Sequence, residues 1–427
     1  MNILDFIKRA EKEKILPIQI TELIDNSTEI KFVNEKQKKH ITSSETNYEI
    51  KAKRNNKFIK VNTNYLDTDI IELIKYKSNY IENNYEDSFI EEQKTSKDVE
   101  NNIEIDVNEI IEEISNLNVL SKKYKNIDSI EAYYEKNKLN KRIVNSYGVD
   151  ISSSKTIQQF NIEATIKQEK NVSKAENITY KNGNKKIDIS QIAKEIFEEV
   201  QLGTRVEKLE NKKYLTLLSS RFMSKILVES VSLFSKEDVR KQMSCLKDLL
   251  NKKVFSTKIN IIEDPKNKEY PGYTIFDNEG TTTTKKYIVK NGKIKTFLYN
   301  IKEAKIDNKT STGNGYDKIF VRNLYIEPGE KNLENIISSI KDGLYIKDYA
   351  STGGVSLNKT TGEISLQVFG YIIKNGKIIS SFDTCILTTT IFDLLKNVKD
   401  VANNLEFKTL NVGSPAILIE NMSISSN

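Results

Sequence analysis

The chain has 427 residues, of which 37% are hydrophobic and 30% are charged, a composition typical of a globular protein with two or three domains. Its 66 basic and 60 acidic residues give a net charge of +6. Because the lysines are scattered, no basic face for nucleic acid is indicated. Apolar runs stay well short of the roughly 18 residues that cross a bilayer, and MNILDFIKRAEKEK at 1–14 lacks the apolar core of a signal peptide. We therefore expect a soluble, cytoplasmic protein.

The first 85 residues predict an α+β domain. Apolar residues at helical spacing indicate a first helix that ends before Pro17. Residues 18–63 alternate apolar and polar side chains in four short runs, which is typical of an antiparallel meander. A second helix is expected to begin with Asp67 or Thr68 as its N-cap. The result is an antiparallel sheet flanked by helices.

A polar and acidic stretch at 86–104 is predicted to be a linker, and a middle α+β domain is expected at 105–207. The middle domain begins with a helix from Val107 and closes with a helix that Ser190 caps and that ends near Gly203. The strands predicted between these helices lie around 128–135, 138–145, 157–168 and 172–181.

Residues 208–427 predict a β-rich C-terminal domain with helices, the clearest of them at 331–341 and 390–404. This domain contains nearly the same octapeptide twice, as YIVKNGKI at 287–294 and as YIIKNGKI at 371–378. Asn-Gly tolerates the positive φ that both central residues of a type I′ turn require. Each copy therefore predicts a β-hairpin, and the fold class is α+β throughout.

Several kinds of catalytic site lack the residues they need. The chain holds one histidine, His40, which we expect to be an ordinary surface or strand residue. Cys245 and Cys385 lack CxxC spacing and are expected to be free thiols. No phosphate-binding glycine loop is present, and the Ser-x-x-Lys at Ser152 and Lys155 lacks the other motifs of that enzyme class.

Three loops of the C-terminal domain are candidates for a binding site: the first loop, FDNEGTTTTKK (276–286), the second loop, STGNGYDK (311–318), and the third loop, YASTGGVSLNKTTGEI (349–364). Each of them could be an ordinary turn. Together they predict exposed backbone groups able to hold an extended peptide by strand addition. The candidate peptide-binding residues are Glu279, Gly280, Thr281, Gly313, Asn314, Gly315, Gly353 and Gly354.

The order of these motifs resembles the TldD/PmbA peptidase family. DNEGT running into the first hairpin, then TGNG, an EPGE turn at 327–330 and DGLYI at 342–346 are similar to that family's C-terminal domain. VGSPAILIENMSIS at 412–425 resembles the closing strand of the PmbA (TldE) branch, and NSYG at 145–148 resembles a turn of the family's middle domain. The similarity runs through the chain in order, and it is weakest in the N-terminal third.

The resemblance implies a cytosolic peptidase system that acts on small or unfolded peptides, including precursors of modified peptide antibiotics. The TldD branch binds zinc through HExxxH on a helix ahead of the D-x-EG-T strand. The matching stretch here, 219–239, keeps helical spacing but has no histidine, and Glu229 is its only carboxylate in the ligand region. We expect no metal in this chain and zinc in a TldD-like partner, because one carboxylate cannot complete a tetrahedral site.

Three hypotheses follow. The first is a non-catalytic PmbA-like subunit that pairs with a TldD-like zinc subunit and completes a cavity for extended peptides. The second is a homodimeric peptide-binding protein without hydrolytic activity. The third is a metallopeptidase that works alone with a substitute set of ligands.

Overall fold

The computed structural model describes residues 1–81, 89–91, 95–98, 105–167, 172–182, 186–202, 206–316, 318–350, 356–409 and 411–426. Up to residue 202 the elements in chain order are α1 (Ile3–Lys12), β1 (Ile18–Val33), β2 (Lys36–Arg54), β3 (Lys57–Thr63), α2 (Thr68–Tyr80), β4 (Thr95–Asp98), α3 (Val107–Ser115), α4 (Leu117–Ser121), β5 (Ile127–Asn145), β6 (Asp150–Lys167), β7 (Val172–Asn182) and α5 (Ile189–Leu202).

The strands of this first half form one large sheet. Among the described residues its order is β3-β2-β1-β5-β6-β4, and β7 also pairs with β6. Strands β1 and β5 pair antiparallel from Gln19↔Asn145 to Val33↔Glu131. The large sheet therefore takes strands from both of the predicted segments, 1–85 and 105–207.

Two strand predictions were wrong in number. The stretch 18–63 holds three strands where four were predicted. The predicted strands 128–135 and 138–145 are the two halves of β5. Strand β5 stays continuous through its polar middle because it pairs with β1 on one side and with β6 on the other. The polar residues there belong to the strand and do not form a turn. Within the predicted linker, β4 pairs in parallel with the start of β6.

Side-chain caps fix two of the helices. Asp67 Oδ1 accepts from the N–H groups of Asp69 and Ile70, so the cap of α2 is the first of the two predicted candidates and Thr68 lies inside the helix. For α5 the predicted cap was wrong, because Asp188 Oδ1 accepts from Gln191 N at 2.9 Å and Ser190 lies inside the helix.

The large sheet carries two apolar cores. One lies under α1 and α2 and contains Phe6, Ile20, Ile50 and Ile74. The other lies under α3, α4 and α5 and contains Tyr134, Phe160, Ile162 and Phe197. The side chains of β6 mostly alternate between buried and partly exposed positions. They do so because successive side chains of a strand point to opposite faces of the sheet.

Residues 206–426 form the remaining elements. In chain order these are β8 (Val206–Glu207), β9 (Lys212–Leu218), α6 (Ser220–Ser230), a 3₁₀ helix (Val231–Phe234), α7 (Lys236–Arg240), β10 (Ile261–Glu263), β11 (Lys286–Lys290), β12 (Lys293–Ile294), α8 (Ile301–Ile306), β13 (Leu324–Ile326), α9 (Leu333–Ser338), β14 (Asp342–Tyr349), β15 (Glu363–Lys374), β16 (Lys377–Thr390), α10 (Ile391–Lys396), β17 (Val398–Val401), β18 (Glu406–Thr409), β19 (Val412–Ser414) and β20 (Ile417–Ser426).

Two sheets build this second half. One has the order β12-β11-β10-β13-β19-β18, and the other has the order β17-β20-β9-β14-β15-β16-β8. The second sheet closes on itself, because β20 pairs with β9 along most of its length and with β16 at Cys385↔Ser426. We call it the closed sheet. Its inner face shares one apolar core with α6 and with the other sheet.

Both predicted hairpins are confirmed. Strand β11 turns into β12, and β15 turns into β16. The turn residues Asn291 and Gly292 have φ of 51° and 71°, and Asn375 and Gly376 have φ of 50° and 74°. Positive φ at both central residues is the type I′ geometry.

The two helices predicted in this half had different outcomes. Helix α9 confirms the helix predicted at 331–341, over a shorter range. The helix predicted at 390–404 was wrong beyond Lys396, where the chain enters β17. The buried residues Val398 and Val401 are three positions apart, which is a helical spacing. Here both lie on a short strand whose pairing register shifts between Val398 and Asp400.

The polar residues singled out in the sequence lie as expected. His40 is exposed on β2. Cys245 and Cys385 are free thiols. Ser152 and Lys155 lie three apart on β6 and so point to opposite faces of the strand. In the described ranges no helix combines the length and the apolarity that a membrane span needs.

Candidate functional site

The first and second loops meet at the side chain of Asp277, which is fully buried. Its Oδ1 accepts hydrogen bonds from the backbone N–H groups of Glu279 and Thr281 at 2.9 and 2.8 Å. Its Oδ2 accepts from the N–H of Gly315 at 2.7 Å. Burial raises the pKa of the Asp277 carboxyl above its ordinary value. One carboxylate thus ties the two loops together.

Glu279 fixes the start of α8 at the same place. Its Oε2 accepts from the N–H of Ile301 at 2.8 Å. A Cβ at Gly315 would lie 2.0 Å from that oxygen, so only glycine allows this approach. Gly280, at φ of 92°, faces the large sheet, since a Cβ there would lie 3.4 Å from Cδ1 of Ile151 on β6.

Asn314 is fully buried, and both ends of its amide are hydrogen bonded. Its Nδ2 donates to both carboxylate oxygens of Glu263 at 2.7 and 2.9 Å and to the carbonyl of Phe320 at 3.1 Å. Its Oδ1 accepts from the hydroxyl of Thr312 at 2.8 Å. Lys286 Nζ lies 2.6 Å from Oε2 of Glu263 and balances the charge of that carboxylate. The second loop is therefore held by a paired, buried network.

A lysine of the large sheet completes this junction. Lys141 on β5 donates to Asn278 Oδ1 at 2.6 Å and to the carbonyl of Asp277 at 3.2 Å. Arg322 Nη2 donates to the same Asn278 oxygen at 2.9 Å. Burial, followed by repulsion from Arg322, holds the pKa of Lys141 well below its ordinary value. The loops of the C-terminal half are thus fastened to β5.

The structure brings six of the eight predicted residues together. They are Glu279, Gly280, Thr281, Gly313, Asn314 and Gly315. Gly353 and Gly354 lie outside the described residues. The side chains of Glu279 and Asn314 and the N–H of Gly315 already bond within the protein. Peptide binding by these residues stays a prediction, and the contacts show a hydrogen-bonded junction between the two loops.

Sequence reasoning missed the partners of this junction. Glu263, Arg322 and Lys141 come from distant elements, and none of them stands in a motif. The one sequence feature that pointed to this junction was the occurrence of Asp277 and Glu279 next to a glycine in the first loop.

The predicted helix at 219–239 consists of α6, the 3₁₀ helix and α7. Ser219 caps α6 by accepting from Phe222 N at 3.0 Å, and it donates to the carbonyl of Lys347 at 2.6 Å. Phe222, Met223 and Ile226 form its buried face. Helix α6 is thus anchored at its N-terminus to β14.

Two basic side chains stand one turn apart on α6 and converge on one carboxylate. Arg221 Nε and Lys225 Nζ each lie 2.7 Å from Oδ2 of Asp348, whose side chain is 4% exposed. Lys225 Nζ also lies 4.5 Å from the centre of the Tyr349 ring. A buried carboxylate with two cations is a closed ionic cluster. We call it the α6 ion cluster.

This stretch does not suit a zinc ion. Zinc in proteins needs imidazole, thiolate or carboxylate ligands at about 2.0–2.3 Å in a tetrahedron. No group of three or more such side chains occurs among the described residues. Arg221 and Lys225 would repel a divalent cation, and Asp348 is already engaged by both. The residues present therefore do not fit the metal that the resemblance implies for the TldD branch.

Comparison with known proteins gives a family match over half of the chain. Residues 211–426 match the model of the PmbA/TldA metallopeptidase C-terminal domain. A metalloprotease of Archaeoglobus fulgidus is 32% identical over 168 residues, 38% of each chain. A metalloprotease TldD homologue of Buchnera aphidicola from Acyrthosiphon pisum is 24% identical over 57% of this chain and 54% of its own. The chain thus spans about half or less of these relatives.

One further relative and two solved structures align over longer ranges. A metalloprotease PmbA homologue of the same Buchnera is 23% identical over 67% of each chain. TldE from Thermococcus kodakarensis superposes with a TM-score of 0.84 over 99% of both chains at 18% identity. A proposed modulator of a DNA gyrase from Thermotoga maritima gives 0.87 over 99% of this chain and 100% of its own at 22% identity. Similarity at this level of identity establishes a shared fold.

Proposed function

The chain belongs to the PmbA/TldD metallopeptidase family, and from this premise we propose that it is the non-catalytic, TldE-like subunit of a cytosolic TldD/TldE-type peptidase. In this proposal it pairs with a TldD-like subunit that carries the zinc. Together they enclose a cavity that admits small or unfolded peptides, and the partner performs the hydrolysis.

The observation that carries this proposal is the α6 ion cluster. Helix α6 corresponds to the helix that the family resemblance assigns to zinc, and here Arg221 and Lys225 bind Asp348. A metallopeptidase needs a metal that polarises the carbonyl and activates water. Two cations bound to one carboxylate can supply neither function, which supports a proposal that leaves hydrolysis to another subunit.

The buried junction supports a structural role in such a complex. Asp277 and Asn314 fix two loops of the C-terminal half against the large sheet through Lys141. Because these contacts are buried and paired, the loops hold one shape. In the proposal that shape forms part of the wall of the shared peptide cavity.

Co-expression with a TldD-like, HExxxH-bearing subunit from the same cell tests the proposal. We expect a stable complex that hydrolyses an unfolded peptide such as reduced, alkylated casein, and no hydrolysis by this chain alone. The matched control replaces the metal-binding histidines of the partner, which should leave the complex assembled and inactive. Hydrolysis by the isolated chain would contradict the proposal. A homodimer that binds the peptide without cleaving it, and that forms no complex with the TldD-like subunit, would favour the peptide-binding alternative.

A further inference from the structure

One long strand of the large sheet has a free outer edge. Strand β2 pairs with β1 from Lys36 to Ala52, whereas β3 covers its other side only from Tyr48 to Arg54. Within the described part of the chain, no strand pairs with the outer side of residues 36–47. We call this segment the free edge. An uncovered edge presents unpaired backbone N–H and C=O groups that can pair with another strand.

The middle of the free edge lacks the usual protection against pairing. The free edge reads KQKKHITSSETN, and nine of its twelve residues are exposed. Proteins commonly protect such edges with charges or with a bulge. Here the lysines cluster at the first end, where the register with β1 also shifts between Gln37 and Lys39. Residues 40–44 contain no lysine or carboxylate, and Ile41 among them is 46% exposed.

The second end of the free edge carries uncompensated negative charge. Glu45 lies directly opposite Asp25 of β1, and Glu135 of β5 lies on the same face of the sheet. None of these three carboxylates forms an ion pair with a described residue. Oδ1 of Asp25 is buried without a hydrogen-bond partner. Burial, followed by repulsion from Glu135 and Glu45, raises the pKa of the Asp25 carboxyl. A cation beside Glu45 would relieve this repulsion.

The first end of the free edge supplies the opposite charge. Lys36 and Lys38 are exposed, and neither forms an ion pair with a described residue. Lys39 is bound to Glu29 of its own chain. Two copies that pair antiparallel place the basic end of each beside the acidic end of the other, whereas parallel pairing places lysine against lysine. The free edge is therefore complementary to itself, as a twofold interface requires.

We propose that the chain forms a homodimer through the free edge, which pairs antiparallel with the free edge of a second copy. The twofold axis passes near Thr42, midway between Lys39 and Glu45, so that these two residues lie opposite each other across the interface. Lys36 and Lys38 then flank the acidic end of the other copy, and the two large sheets become one continuous sheet. This inference does not depend on the proposed function, because a TldD-like subunit can bind to other surfaces.

Analytical ultracentrifugation of the full chain alone tests the pairing. We expect a dimer at about 50 µM. Glu45→Lys, and the double variant Lys36→Glu with Lys38→Glu, should each weaken the dimer at least about tenfold, because like charges then meet at both ends of the interface. An equimolar mixture of the two variants should regain the parent affinity, because one end then has its charges exchanged and the other end is unchanged.

The exposed positions of these substitutions should leave the fold intact. Glu210→Lys is the matched control, since it changes the net charge equally on a side chain that is 81% exposed and far along the chain, and it should leave the dimer unchanged. A monomeric parent chain at about 50 µM, a dimer that persists in both charge variants, or a mixture that fails to regain affinity would overturn the proposal.

Cysteine substitutions test the register. Thr42→Cys places two thiols across the twofold axis, where opposed Cα atoms lie about 4.5–5.5 Å apart, and should yield a disulfide between copies under mild oxidation. Ser44→Cys is the matched control, because its two copies lie four positions apart, about 13 Å. The parent chain gives the background from Cys245 and Cys385. Cross-linking through Ser44→Cys in place of Thr42→Cys, or at neither position, would contradict the proposed pairing.

Discussion

At the scale of single residues, the two Asn-Gly turns have the strictest steric requirement. Both glycines have positive φ, and both lie against backbone. A Cβ at Gly292 would lie 2.1 Å from the carbonyl oxygen of Phe255, and one at Gly376 would lie 2.7 Å from that of Ser338. Each turn is therefore fixed both by its own geometry and by a neighbouring segment.

We expect Gly292→Val and Gly376→Val to lower the free energy of unfolding by at least about 1–2 kcal/mol, because a β-branched residue resists positive φ. The loss should be larger at Gly292, where the clash is closer. Urea unfolding measures both, with Asn291→Gly as a control that keeps positive φ accessible. Stabilities equal to that of the parent chain would contradict the role of these turns.

The α6 ion cluster makes a second prediction at this scale. Asp348→Asn should lower the stability by about 3 kcal/mol, because Arg221 and Lys225 would lose their shared counter-charge. Glu420→Gln is the matched control, since its pair with Lys399 is half exposed on both sides and should contribute less than about 1 kcal/mol. Similar small losses in both variants would indicate that the cluster is not a buried ionic unit.

Residues of the candidate site were predictable where the chemistry is local. Glycine beside carboxylates and threonine marked the first and second loops, and the structure brings these loops together. The sequence held no sign that Asp348 would meet Arg221 and Lys225, because the contact joins residues more than a hundred positions apart. The same holds for Lys141, which reaches Asn278 from another sheet.

At the scale of elements, closure of the second sheet depends on the last strand. Strand β20 pairs with β9 and, at its end, with β16. Ile424 on β20 is buried in the main core, whereas Ile386 on β16 is 39% exposed. The two isoleucines pair with neighbouring residues of the same ladder and differ mainly in burial.

Ile424→Ala should therefore lower the free energy of unfolding by about 2–4 kcal/mol, through lost burial and the cavity left behind. Ile386→Ala, the matched control, should change it by less than about 1 kcal/mol. Chemical denaturation of both variants supplies the measurement. Equal losses would contradict the closure of this sheet around the apolar core.

Elements with a local signature were predicted well, and those that depend on distant pairing were not. Both hairpins follow from Asn-Gly, and α2 follows from Asp67. Strand β5 was divided in two because its middle is polar, although pairing with β1 and β6 keeps it continuous. The apolar spacing at 398–401 predicts a helix but suits either structure, and the chain forms strand β17 there.

At the scale of the whole molecule, the fold is that of the family, and the described residues of α6 do not fit the zinc ion that the resemblance implies for the TldD branch. The large sheet meets the first and second loops, which extend from the six-stranded sheet, at the buried junction around Asp277. The molecule thus combines this junction with an α6 helix whose two basic side chains are paired with Asp348. These features are consistent with a subunit that shapes a cavity and leaves hydrolysis to its partner.

The most direct test of the proposal that the partner, and not this chain, carries the zinc is a zinc analysis by mass spectrometry. It compares the purified chain alone with its complex with a TldD-like subunit. After dialysis against excess zinc and then against buffer, we expect the isolated chain to retain far less than one zinc ion, and the complex to retain one zinc ion per heterodimer. Retention of one tightly bound zinc ion by the isolated chain would contradict the proposal, because it would place the metal in the very subunit whose residues do not fit it.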